Sequence, residues 1–98
     1  MESLNQIVLA GRVTGLDPRN SESNRVFRFQ MITNQMYVDA GIKKFDPEPH
    51  QIKLLNPGTI GGYITMGKNL TLLGRLKYSK DGPYILASSV HLAGGTDE

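Results

Sequence analysis

The stretch Lys68–Leu92, KNLTLLGRLKYSKDGPYILASSVHL, carries the reading of the fold. Leu70, Leu72, Gly74 and Leu76 fall on one side of its first half. Thr71, Leu73, Arg75 and Lys77 fall on the other, the period of two that marks a half-buried strand. Ser79-Lys80-Asp81-Gly82 then supplies Asp-Gly, a strong signal for a tight hairpin, and Pro83–Leu92 reads as the returning strand. Gly74 lies on the apolar side, where a strand that bends sharply to close a barrel uses a missing side chain.

Working outward, Asn5–Thr14 (NQIVLAGRVT) repeats the pattern. Ile7, Leu9, Gly11 and Val13 share one face, and Val8, Ala10 and Arg12 share the other. In both segments the second face begins apolar and ends basic, which suggests a subunit contact passing into a groove. Gly15–Asn24 is a polar loop rich in turn formers, and Arg25–Thr33 (RVFRFQMIT) is a second strand. Asn34–Pro49 reads as a long polar connection, and His50–Leu55 as a third strand. Asn56-Pro57 offers an N-cap followed by proline at the first helical position. The helix it opens, within Gly58–Met66, holds three glycines and predicts one or two turns at most. The order β-β-β-(short α)-β-β is that of an all-β, five-stranded OB-fold barrel with one short helix between strands 3 and 4. The chain is expected to be a single domain over 1–98, with its core at about 5–93 and short flexible termini.

The chain of 98 residues is the length of one domain. It holds no run of the roughly 20 apolar residues a membrane helix needs. Its N-terminus has neither the basic nor the apolar region of a signal peptide. Without cysteine there is no disulfide, thiolate metal site or cysteine nucleophile, and a reducing cytoplasm is expected. The net charge is only +2, but Glu2, Asp97 and Glu98 lie at the ends; without them 11 basic side chains face 6 acidic ones, a body of +5. That suffices for a phosphate-contacting groove, although charge alone does not separate a groove from an ordinary mixed surface.

Five short matches in order resemble the bacterial single-stranded DNA-binding protein family, over about residues 5 to 95. Asn5–Val13 is similar to its first strand, N-x-[VA]-x-L-x-G-R-[LV]. Arg28-Phe29-Gln30-Met31 resembles its second, and His50–Leu55 its third, which begins W-H-R-V-V. Tyr63–Lys68 falls at Y-L-x-K-G, and Gly74-Arg75-Leu76 at G-x-L. The resemblance implies a homodimer or homotetramer that binds single-stranded DNA in replication, repair or replication restart. The protein partners it implies are those of replication or the primosome. The family's tryptophan before the strand-three histidine is Pro49 here, its later phenylalanine is Leu55, and its acidic tail is missing. Tyr37 falls near another of its tryptophans. The tailless, dimeric relatives in the family, of the primosomal replication protein N (PriB) type, are therefore the alternative reading. A second alternative is an interaction module that contacts protein through the groove, with weak or no DNA binding.

Single-strand binding needs cations along the phosphates and flat side chains under the bases. The cationic candidates are Arg12, Arg28, Lys43, Lys44, Lys53, Arg75, Lys77 and Lys80. Arg12, Arg75 and Lys77 stand out by their matching face parity. The stacking candidates are Tyr37 and Phe45 in the polar connection and Tyr78 beside the hairpin. Tyr84 fits either stacking or covering the barrel end, whereas Phe27 and Phe29 read as core. Gly62–Asn69 matches G-x-x-x-x-G-K but lacks the hydroxyl that would hold Mg²⁺ and precedes a strand rather than a helix. His50 and His91 lie far apart, and Asp46 with Glu48 is too small a donor set for a metal. No catalytic residue, metal or cofactor is expected, and the chain is not read as an enzyme.

Overall fold

The computed structural model describes residues 4–22 and 25–93. The expected flexible termini, with Glu2, Asp97 and Glu98, lie outside the described residues. Five strands appear: β1 (Ile7–Leu16), β2 (Val26–Asp39), β3 (Ile42–Leu55), β4 (Asn69–Ser79) and β5 (Gly82–Leu92). They close into a barrel in the order β1-β2-β3-β5-β4, with β4 pairing back onto β1. All pairings are antiparallel except β3 with β5. This is the OB-fold.

Alternation builds the interior as the sequence demands. Val13, Phe29, Met31, Ile52, Leu70, Leu72 and Ile85 are buried, while Val8, Arg12, Thr71 and Arg75 face outward. Phe27 is half-buried and packs against Phe29, their rings 5.9 Å apart. Gly11 and Gly74 are where neighbouring backbones come closest. A Cβ on Gly11 would lie 2.2 Å from the Ile32 carbonyl oxygen, and one on Gly74 would lie 2.5 Å from that of Leu86. Closure at these corners therefore needs residues without side chains. The Asn5 amide prolongs the β1–β4 ladder, donating to the Leu76 carbonyl at 2.8 Å and accepting its N–H at 3.0 Å.

Several expectations at the connections are corrected. The presumed loop Gly15–Asn24 begins inside β1 and contains a 3-10 turn, Pro18–Glu22. The expected helix after β3 is also 3-10, Gly58–Tyr63. Its first position is capped by Pro57 rather than Asn56, which has φ +50° and so cannot take the extended N-cap geometry. Three glycines leave too little side chain to hold an α-helix there, and the buried Ile64 that follows fills one end of the barrel.

The largest correction concerns Asn34–Pro49, which is no loose connection. β2 and β3 stay paired from Val26↔Leu55 to Asp39↔Ile42, forming a β-ribbon arm beyond the barrel. Its turn is Ala40-Gly41, both at positive φ (53° and 79°), the geometry of a type I′ hairpin. Every residue from 34 to 49 is exposed. The radius of gyration, 14.9 Å, accordingly exceeds the ~12.6 Å of a compact chain this long. Among the described residues, no helix is long and apolar enough to cross a membrane.

Candidate nucleic-acid interface

Side chains directly opposite each other on paired strands share a face. The register therefore decides which cations meet. Arg28 of β2 faces Lys53 of β3, Lys53 is level with Leu86 of β5, and Leu86 faces Arg75 of β4. Two pairs further along, and so on the same face, Tyr84 faces Lys77. Arg28, Lys53, Arg75 and Lys77 thus form a continuous belt across the outer face of four adjoining strands, with Tyr84 at its centre.

Local hydrogen bonds fix this belt. The Asn20 side chain accepts the Arg28 N–H and donates to the Arg28 carbonyl, both at 2.7 Å, holding β2 against the first 3-10 turn. Asp17 accepts from the Arg19 Nε and guanidinium, at 3.1 and 2.6 Å. These hydrogen bonds from Arg19 lower the Asp17 carboxyl from 3.8 to about 2. Beside them lies a cleft of about 310 Å³, lined by Arg19, Arg28, Gln51, Lys53, Tyr84 and the turn end of the β4–β5 hairpin, Asp81 included. The Lys53 ammonium sits 4.2 Å from the centroid of the Tyr84 ring.

The other candidates lie elsewhere. Arg12 does not join Arg75 and Lys77, although their faces match. β1 runs antiparallel to β4, so Arg12 pairs with Asn69, six residues and ~20 Å along the strand from Arg75. It lines a separate hollow with Ile32, Asn34 and Pro47 at the base of the arm. Phe45 opposes Met36 and Lys43 opposes Val38, on the face whose alternation continues from Arg28 and Lys53. Tyr37 and Lys44 oppose each other on the reverse face, where Lys44 pairs with Asp39 at 3.0 Å. Tyr78, three-quarters exposed, and Lys80 lie at the far end of the β4–β5 hairpin, whose turn is Lys80-Asp81.

Tyr84, left undecided from the sequence, is the residue the structure adds to the belt. Its signal was the hairpin register: pairing Ser79 with Gly82 puts Lys77 opposite Tyr84. His50 is half-buried and shares a hydrogen bond of 2.9 Å with the Thr33 hydroxyl. The G-x-x-x-x-G-K stretch leaves a 3-10 turn and enters β4, with no helix after it to bind phosphate. Among the described residues no three His, Asp or Glu gather as metal donors.

Solved structures share this architecture. Plasmodium falciparum SSB in complex with ssDNA superposes with a TM-score of 0.72 at 20% identity, covering 94% of this chain and 97% of that one. PriB from Ralstonia solanacearum gives 0.69 at 10% identity, covering 93% and 99%. The small single-stranded DNA-binding protein from Streptomyces coelicolor gives 0.69 at 14% identity, covering 95% and 96%. No protein-family model matches the sequence, and no curated protein does. At these identities the likeness establishes the fold.

Proposed function

We propose that this chain binds single-stranded DNA without sequence preference, as a homo-oligomeric, cytoplasmic, non-enzymatic component of replication, repair or replication restart. The observation that carries the reading is the belt: Arg28, Lys53, Arg75 and Lys77 on one outer face around the half-buried Tyr84. Cations at strand spacing meet successive phosphates, and an aromatic face accepts any base, so such a surface grips a single strand without reading its sequence. The arm lengthens the track. Ile32, Asn34, Met36 and Phe45 continue the same alternation away from the barrel, with Arg12 at its root and Lys43 towards its tip. SSB from Plasmodium falciparum, of the same fold, was solved with ssDNA, which supports the assignment.

Self-association is assigned to the outer face of β1. Val8 is 65% exposed there and opposes the half-buried Leu73 of β4. Val8→Glu should shift the sedimentation coefficient toward that of a monomer.

The function is tested by fluorescence anisotropy of labelled oligo-dT beside a duplex of equal length. Tight, salt-sensitive binding that prefers the single strand is expected. No binding even at low salt would sink the reading and leave a barrel whose groove serves protein partners.

A further inference from the structure

Lys53 and Tyr84 are engaged with each other in the free protein, and each is a group a nucleic acid strand would use. The ammonium lies 4.2 Å from the ring centroid. Among the described residues no carboxylate pairs with it; Asp17 and Asp39 pair instead with Arg19 and Lys44. Lys53 is also directly opposite Arg28, so two like charges face the same cleft. A cation over a partly solvated ring is held weakly. A phosphate offers Lys53 a charge-assisted hydrogen bond and relieves its repulsion from Arg28 at the same time. The ring, once uncovered, presents a flat face to a cleft of about 310 Å³, walled by Gln51 and the Ser79–Pro83 end of the β4–β5 hairpin.

We propose that this cleft is a one-nucleotide subsite worked by exchange. On binding, the Lys53 ammonium leaves the Tyr84 ring for a backbone phosphate shared with Arg28, and a base takes its place against the ring. The proposal rests on the single-strand reading and specifies what happens at one point of it. Tyr84 becomes a stacking platform only when a phosphate draws Lys53 away, so stacking at this position is coupled to phosphate contact. A free base or nucleoside, lacking the phosphate, does not open the subsite.

The test is NMR of isotope-labelled protein titrated with oligo-dT. In the free protein the Lys53 ε-methylene protons are shifted upfield by the Tyr84 ring current, and Tyr84→Leu removes that shift. In the saturated complex the shift disappears in the unsubstituted protein too, whereas saturation with thymidine leaves it in place. By anisotropy, Tyr84→Leu weakens oligo-dT binding by about 5- to 150-fold, the range for one stacked base. Tyr84→Phe, which keeps the ring, retains affinity and guards against misreading a folding defect. Lys53→Met keeps the apolar stem, and should flatten the dependence of log affinity on log salt by about 0.7, one phosphate's share. An upfield shift that persists in the saturated complex overturns the exchange while leaving single-strand binding intact. So does an unchanged salt slope in Lys53→Met. Failure of the unsubstituted protein to bind oligo-dT overturns the function and the exchange together.

Discussion

The belt makes a quantitative demand on salt dependence. A cation that neutralises a phosphate of a single strand contributes about −0.7 to the slope of log affinity against log salt. Arg28, Lys53, Arg75 and Lys77 lie on adjoining strands of one face, and among the described residues none of them forms an ion pair with a carboxylate, unlike Lys44. If all four meet phosphates, they supply a slope of about −2.8, so raising salt from about 50 to about 200 mM costs about 50-fold in affinity. Changing all four to glutamine should flatten the slope by that amount, and each single change by about 0.7. Lys44→Gln is the internal control. It removes the same charge, but from the reverse face of the arm and from a lysine paired with Asp39 at 3.0 Å. The assay is anisotropy of oligo-dT at four salt concentrations, with circular dichroism to show that each variant keeps its sheet. If Lys44→Gln flattens the slope as much as Lys53→Gln, the strand responds to net charge and the belt is not its site. If the four-fold variant keeps the original slope, the strand binds elsewhere on the barrel.

Three further outcomes follow from individual residues. Gly74→Ala would place a Cβ 2.5 Å from the Leu86 carbonyl oxygen, where only backbone can give way. It should lower stability by about 1–3 kcal/mol in thermal melts, while Gly62→Ala, with nothing within 4 Å, should not. The Asp17 carboxyl should titrate by NMR near 2 rather than 3.8, and return toward 3.8 in Arg19→Ala. Because its folded value is depressed, the stabilisation it gives is present above 3.8 and fades as pH falls through about 2; an Asp17 midpoint near 3.8 in the intact chain would contradict the ion pair. Ala40→Asn puts a residue that tolerates positive φ where alanine stands at 53°. It should slow amide exchange along 38–43 and leave the barrel's melting temperature unchanged. Unaltered exchange would mean that the turn does not limit the arm.

The barrel was legible because burial writes itself into alternation. Ile7–Val13 and Leu70–Leu76 are apolar at every second position since one face of each strand is enclosed, and the two glycines fall where backbones must touch. The belt was half legible. Parity put Arg12, Arg75 and Lys77 on matching faces of neighbouring strands, as the register has them, but parity says nothing of how far along the strands pair, and Arg12 lies about 20 Å from Arg75. Arg28, Lys53 and Tyr84 meet only through the β2–β3 and parallel β3–β5 registers, which local sequence does not specify. The arm was read as a loop because neither face of it is buried, so no selection for alternation marks residues 34–49. Its turn is disguised as well: type I′ geometry favours Asn-Gly, and here the first position is alanine.

Pro47 and Pro49 fall inside the arm, and the register explains how the ribbon accommodates them. They stand opposite Asn34 and Ile32 with the pairing unbroken on either side. Backbone N–H groups of a strand point alternately to its two edges, so prolines two apart lack their donors on the same edge. An unbroken ladder to β2 requires that edge to be the one facing away from β2. In this stretch β3 has no other neighbour, since its pairing with β5 covers only Ile52–Leu54. The missing donors thus fall on an open edge, where proline is tolerated and where it denies a foreign strand the row of N–H groups needed for pairing. A fully exposed ribbon that must offer its face to a partner without adding strands at its side has use for that arrangement. Pro47 and Pro49 thus let the arm stay exposed without recruiting further strands at its open edge.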